Sequence, residues 1–191
     1  KSIDFTKINA FHMDEYIGLP ADAPQGFGNF LRRNLFDRVP FKTVNTIDST
    51  AADPEAECRR YADLLQEYPC DIVCMGIGEN GHIAFNDPHV ADFNDKKAVK
   101  VVELDETCRQ QQVNDGCFAR LSEVPTHALT LTIPTLVAPK AVFCIVPAKT
   151  KANAVKATLR GPVTEACPAS ILRRHANAAL YCDADSAALI L

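Results

Sequence analysis

A chain of 191 residues with 47% apolar and 23% charged residues carries enough apolar surface for one domain with its own core. A net charge of −4 and an isoelectric point near 5.7 argue against nucleic acid or an anionic membrane as main partner, and no apolar run approaches the roughly 18 residues that cross a bilayer. Eight cysteines without a Cys-x-x-Cys pair fit the reduced thiols of a cytoplasmic protein better than a disulfide framework, which a chain of this size does not need.

The opening Lys1-Ser2-Ile3-Asp4 is followed by no apolar signal segment and reads as a start inside a domain. From there, apolar runs of strand length alternate with helical patterns. Ile8–Met13 predicts a strand that delivers Asp14-Glu15-Tyr16 at its carboxyl end. Phe27–Arg38 predicts a helix and Thr43–Ile47 a weaker strand. Asp53-Pro54-Glu55 has an N-cap, a proline at the first helical position and acids in the first turn, so a helix should run to Tyr68. Strands follow over Asp71–Met75, Ala98–Leu104, Ala128–Ile133, Ala141–Val146 and Ala178–Cys182. Helices are expected over Glu106–Phe118, Lys149–Leu159 and Pro168–His175. Cys74, Cys144 and Cys182 fall inside strands and are expected as core thiols. The alternation predicts an α/β domain with a doubly wound, mainly parallel sheet, Rossmann-like and three-layered, whose ligands bind at the carboxyl ends of the strands.

The stretch Gly76–Pro88 (GIGENGHIAFNDP) follows the strand Asp71–Met75 and so lies where a site is expected. Gly76-x-Gly78-x-x-Gly81 matches the dinucleotide pattern, but that reading needs a helix over residues 82–95. Asn86-Asp87-Pro88 interrupts it, because a residue before proline avoids the α region. What remains is a turn rich in proton-transfer groups, with a second polar cluster at Asp14-Glu15-Tyr16. From the residues alone, a proton-transfer site and a plain glycine turn around a core histidine both stay open. His82 and His89, seven residues apart across a proline, match no common metal spacing. His127 and His175 read as structural, and the pairs Arg32-Arg33 and Arg173-Arg174 as solvated surface, with a subunit contact or effector phosphate site as the alternative.

Met13-Asp14-Glu15-Tyr16-Ile17-Gly18-Leu19-Pro20 together with Gly76–Pro88 resembles the glucosamine-6-phosphate deaminase/isomerase family. The resemblance continues through Arg33–Asp37, Glu57–Arg59 and Lys149–Arg160, so it covers essentially the whole chain. The sister 6-phosphogluconolactonases share the glycine–histidine core of the loop but usually follow it with a Ser-Leu-Phe-Pro-like segment, where this chain has Ala84-Phe85-Asn86-Asp87-Pro88. The resemblance implies conversion of glucosamine 6-phosphate and water to fructose 6-phosphate and ammonia. That takes ring opening, proton transfer between C2 and C1, and loss of the amine, each needing a positioned acid or base. It implies a small sugar phosphate as partner, no metal and no organic cofactor. Association of like subunits is left open.

Carried over residue by residue, the resemblance implies Asp14 as the base of enolisation and His82 as the acid/base of ring opening. Asn80 and Asp87 orient that histidine, Lys151 meets the phosphate, and Gly78 and Gly81 shape the loop beside the substrate. Arg109 is the candidate for the family's phosphate arginine. Glu15 is expected to support Asp14, and Tyr16 either to cover the sugar or to pack. Many members carry Asp where this chain has Asn80, and Glu where it has Asp87, so weaker tuning of His82 is expected. The family also begins with a strand and a phosphate-binding loop that have no counterpart here, so the N-terminal part of the domain, including a central strand, is expected to be missing. Three other functions stand beside this one: a 6-phosphogluconolactonase-type hydrolase, isomerisation or deamination of a different sugar phosphate such as galactosamine 6-phosphate, and a non-catalytic sugar-phosphate sensor.

Overall fold

The computed structural model describes residues 3–191; Lys1 and Ser2, where the start inside a domain was read, lie outside the described residues. Its strands are β1 (Asn9–Phe11), β2 (Asp14–Tyr16), β3 (Thr43–Asn45), β4 (Ile72–Met75), β5 (Val99–Glu103), β6 (His127–Leu131), β7 (Ala141–Val146) and β8 (Ala178–Cys182). Its α-helices are α1 (Phe27–Leu31), α2 (Pro54–Glu67), α3 (Glu106–Asn114), α4 (Ile133–Val137) and α5 (Ala152–Arg160). β4, β7 and β8 form a parallel sheet in that order, and β1 and β3 form a parallel pair. The third unit, in the order β2-β6-β5, is antiparallel, a departure from the parallel pattern that strand–helix alternation predicts.

The local reason lies at His12. The backbone N–H of His12 donates to the Tyr61 hydroxyl at 3.0 Å, and its carbonyl accepts from the same hydroxyl at 2.8 Å. The expected strand Ile8–Met13 therefore breaks there, and the chain enters a second sheet as β2. α2 begins as predicted: the Asp53 side chain accepts from the N–H groups of Glu55 and Ala56, both at 3.0 Å. Its Cys58, Tyr61 and Leu65 are buried on one face, and each buried apolar side chain stabilises the fold by roughly 1.5–3 kcal/mol. The core runs through Ile83, Ile133, Leu136, Val142, Val146 and Val155.

Other expected helices are shorter or tighter. Phe27–Arg38 divides into α1 and a π-helical turn over Arg32–Phe36. Lys149–Lys151 is a 3-10 turn ahead of α5, and Pro168–Arg174 is 3-10 throughout. Glu106–Phe118 stops at Asn114, before Gly116 at φ +75°. The strand expected over Ala128–Ile133 ends at Leu131, and α4 follows without having been anticipated. All eight cysteines are free. Cys144 is buried, but Cys182 is half-buried and Cys74 exposed, because β4 alternates sides and Cys74 points opposite to Val73 and Met75.

A groove of about 590 Å³ separates β1 from β4. Lys7–Asn9 and Cys70–Ile72 line one hollow together, and the groove continues between Ile8–Asp14 on one wall and Ile72–Gly76 on the other, which fits β1 and β4 running in the same direction. Ile8, Phe30, Leu35, Ile72 and Ile145, each more than a third exposed, all line it. No helix among the described residues is long and apolar enough to cross a membrane.

Candidate active site

The loop after β4 closes on itself. Gly78 N–H donates to the His82 carbonyl at 2.9 Å, and Gly81 N–H to the Gly78 carbonyl at 3.0 Å. The His82 imidazole lies directly on the Cα of Gly78, so any side chain at 78 would overlap the ring. Gly81 takes φ +87°, and a Cβ there would sit 2.8 Å from the Cys167 sulfur. Its carbonyl accepts from Ala169 N–H at 2.9 Å, which ties the loop to the 3-10 segment behind it. The helix breaker becomes a buried pin: Asn86 donates its side-chain amide to the carbonyls of Ile83 (3.0 Å) and Leu131 (2.9 Å). This fold-back places fully buried Asp87 against His82.

His82 Nδ1 lies 2.8 Å from Asn80 Oδ1 and 3.0 Å from Asp87 Oδ1, and the Asn80 amide nitrogen donates to that same Asp87 oxygen at 2.9 Å. Both atoms facing Nδ1 are acceptors, so Nδ1 carries the proton and Nε2 is the free end of the ring. The side chain keeps 12% exposure. Burial by itself would raise the Asp87 carboxyl, but the hydrogen bonds from His82 and Asn80 and the charge of His82 outweigh it and hold the carboxyl below its usual range.

Asp14 begins β2, opposite Thr130. The residue keeps some surface, but its carboxyl is enclosed by protein atoms; burial, with a smaller push from the charge of Glu15, raises it to about 7. Glu15 is buried behind it and accepts from Tyr16 N–H (2.9 Å), Phe27 N–H (3.0 Å) and Gly28 N–H (2.8 Å). Its neighbour His12, with Nε2 3.7 Å from Glu15, is pushed down to about 4 by burial and by the charge of Arg32. The Tyr16 ring is packed against Phe27 and Phe118 at 5.2 and 5.7 Å between centroids, so it belongs to the core and does not cover a ligand.

The thiol of Cys108 on α3 is pushed far up, first by burial, then by the charges of Asp87 and Asp105, by its hydrogen bond to Asp87, and last by the charge of Asp14. Lys151 closes the turn before α5, half-buried; burial lowers its ammonium, while Asp115 and Glu79 oppose that. It takes part in none of the ion pairs among the described residues. Arg109 does not join the cluster. Its guanidinium donates to the carbonyls of Leu121 (2.9 Å) and Val124 (2.9 Å), because the helical turn aims Cys108, not its neighbour, at the loop. Of the other residues weighed, His175 is structural, 2.8 Å from the Pro139 carbonyl, and Arg33 donates to the Pro24 carbonyl at 2.8 Å.

Sequence reading missed Cys108 and Gln111. Both are buried, and the Gln111 side chain accepts from Glu79 N–H at 3.1 Å. Cys108 lies three residues after the Asp105 N-cap and Gln111 three after Cys108, a spacing that puts both on one helix face, which was the available signal. Donor atoms of His82, Asp87 and Cys108 lie within 4.8 Å of one another, as do those of Asp87, His89 and Asp105. Neither grouping shows in the spacing of His82 and His89.

A carboxyl poised near neutrality where β2 begins and an oriented histidine on the loop after β4 are the groups a proton-transfer site in an α/β domain needs. A family model described as glucosamine-6-phosphate isomerases/6-phosphogluconolactonase matches residues 1–181, and the chain belongs to that family. It is 37% identical over 187 residues to glucosamine-6-phosphate deaminases of Bacillus thuringiensis (strain Al Hakam) and Bacillus anthracis (strain A0248), covering 98% of this chain and 70% of each relative. A solved structure described as a monomeric glucosamine-6-phosphate deaminase, missing link of the NagB superfamily, superimposes with TM-score 0.90 at 34% identity, over 97% of this chain and 76% of that one. Its monomeric state lends no support to association of like subunits here. A 6-phosphogluconolactonase from Trypanosoma brucei, at 21% identity and TM-score 0.75 over 95% of this chain and 73% of that one, shares the fold.

Proposed function

We propose that this chain carries the catalytic body of a glucosamine-6-phosphate deaminase/isomerase. The observation that carries the reading is an Nδ1-anchored His82 in a chain that also holds the Asp14 carboxyl near pH 7. His82 Nε2 takes the proton of the anomeric hydroxyl and returns one to the ring oxygen, opening the sugar, while Asp87 stabilises the imidazolium that forms between. Asp14 then removes the C2 proton and delivers it to C1 by way of an enolamine. The resulting C2 iminium adds water and releases ammonia, hydrolytic in its net balance, leaving fructose 6-phosphate. Near neutrality Asp14 is divided between its two forms, as a group that must both accept and donate requires. Lys151 contributes one cation to the phosphate.

One lysine is a thin phosphate site. The groove between β1 and β4 supports a further part: a parallel strand, from the share of the relatives' length that this chain does not span, would pair with both edges and join them into one sheet. The turn after it would emerge beside Asp14 and Gly76, where phosphate contacts are needed.

The test is release of ammonia and fructose 6-phosphate from glucosamine 6-phosphate, with Asp14→Asn and His82→Gln expected to lower kcat by at least about 10²-fold. Galactosamine 6-phosphate and 6-phosphogluconolactone serve as competing substrates. Turnover of the lactone alone would overturn the reading in favour of a hydrolase, and tight binding of the sugar phosphate without turnover would favour a sensor.

A further inference from the structure

Asp87 is wholly buried, yet only one of its carboxylate oxygens is used. Oδ1 receives His82 and Asn80, while Oδ2 is buried without a hydrogen-bond partner. Leaving a buried acceptor unpaired costs about 1–3 kcal/mol, so the atom calls for a partner. Among the described residues no lysine or arginine forms an ion pair with Asp87: Lys151 takes part in none, and Arg109 donates to the carbonyls of Leu121 and Val124. Within 4.8 Å of a carboxylate oxygen of Asp87 are instead two atoms that bind soft divalent ions well, a ring nitrogen of His82 and the sulfur of Cys108. Cys108 is itself buried, and its thiol, a weak hydrogen-bond donor, faces the Asp87 carboxyl.

We propose that His82, Asp87 and Cys108 form a three-donor site for a thiophilic divalent cation of the Zn²⁺ type, and that occupancy shuts off proton transfer at His82. One nitrogen, one oxygen and one sulfur are a mixed donor set that suits Zn²⁺, with bonds of about 2.0–2.3 Å; side-chain shifts of about an ångström would close the triad. A +2 ion with a carboxylate and a thiolate is neutral overall, so the buried site gains no net charge. The three donors leave a fourth position of a tetrahedral ion to water.

The proton balance follows. The metal displaces the thiol proton of Cys108 to solvent, and it takes the Nδ1 lone pair, so the ring proton moves from Nδ1 to Nε2. With Nε2–H fixed, the free end of the ring can no longer accept a proton. The neighbouring group of Asp87, His89 and Asp105 shares one ligand and cannot be filled at the same time. It is the weaker claimant for such an ion, because it offers no sulfur and His89 is exposed and already 3.0 Å from the Glu103 carbonyl.

The inhibition rests on the deaminase reading, but the site can be tested without it. Added to the full chain, Co²⁺ alone should produce the near-ultraviolet thiolate-to-cobalt charge-transfer band, and Cys108→Ala should abolish it while the far-ultraviolet circular dichroism shows the variant folded. Cys74→Ala and Cys117→Ala, which remove the exposed thiols, should leave the band in place. In turnover, Zn²⁺ should inhibit reversibly on chelation, and half-inhibition of Cys108→Ala should need at least roughly tenfold more metal, each variant compared with its own uninhibited rate. A band that survives in Cys108→Ala overturns the site. Zn²⁺ sensitivity retained in Cys108→Ala and lost in His89→Ala would place the ion on Asp87, His89 and Asp105 and overturn it as well. Absence of turnover on any substrate with the cobalt band intact would defeat the deaminase reading and leave the metal site standing.

Discussion

Asp14 shows how a reactive group opposes the stability of its own fold. Its carboxyl, ordinarily near 3.8, is raised to about 7, first by burial and then by the charge of Glu15. Below about pH 4 the carboxyl is protonated in both folded and unfolded chains and contributes nothing. Between those values the folded chain holds a proton that the unfolded chain has lost, so stability falls as pH rises; above 7 the full penalty is present. Asp14→Asn removes the charge. It should abolish turnover and yet raise the thermal midpoint at pH 8, with a gain that shrinks toward pH 5 and vanishes near pH 4. Thermal melts of both proteins across that range check the sign, and a variant less stable at pH 8 than at pH 5 relative to the parent would defeat the account. The same residue-level economy explains Gly78 and Gly81: one makes room for the imidazole, the other takes a backbone angle that an L side chain resists.

At the level of elements, the turn that carries Lys151 is strained one step earlier. Ala148 has φ +84° and ψ 146°, a region that is almost exclusively glycine's. It is held there from both sides, by its N–H donating to Asp183 at 3.0 Å and by its carbonyl accepting from Lys151 N–H at 3.1 Å. Ala148→Gly relieves strain of about 1–3 kcal/mol, against an added unfolded-chain entropy of about 0.5–1 kcal/mol. The expected outcome is a thermal midpoint higher by about 2–4 °C per net kcal/mol, with KM for the sugar phosphate unchanged because Lys151 stays in place. A lower midpoint would show that the alanine methyl contributes packing that offsets the strain. β2 makes a comparable point about element ends. It exists as a separate strand because the Tyr61 hydroxyl takes both backbone groups of His12, and the break leaves Asp14 as the first residue of β2.

On the scale of the whole molecule, the groove between β1 and β4 leaves two strand edges and five large apolar side chains facing solvent. Such edges pair with other chains unless they are covered. The 191-residue chain should therefore bind a hydrophobic dye and self-associate as concentration rises. A longer chain bearing the part of the relatives that this sequence does not span should do neither, and should bind sugar phosphate more tightly. Equal dye binding by both chains would mean that the groove is not where the additional strand lies.

Much of the molecule was legible in one dimension, and physical reasons separate what was from what was not. Helix α2 was readable from Asp53, Pro54 and the acids of the first turn, because caps are local. The strands β4, β7 and β8 were readable from short apolar runs, and Asn86-Asp87-Pro88 ruled out a cofactor helix, because a proline acts on its immediate neighbour. The pairing of His82 with Asn80 and Asp87 was read by resemblance, and it is also a matter of a few residues folded back in one loop. What only the tertiary structure decided depends on partners far apart in the chain. Tyr61 breaks the first strand across 49 residues, and α3 delivers Cys108 to Asp87 while turning Arg109 to a different carbonyl pair. The rise of the Asp14 carboxyl belongs there too, since burial is a sum over every element packed around a group and no stretch of sequence contains it.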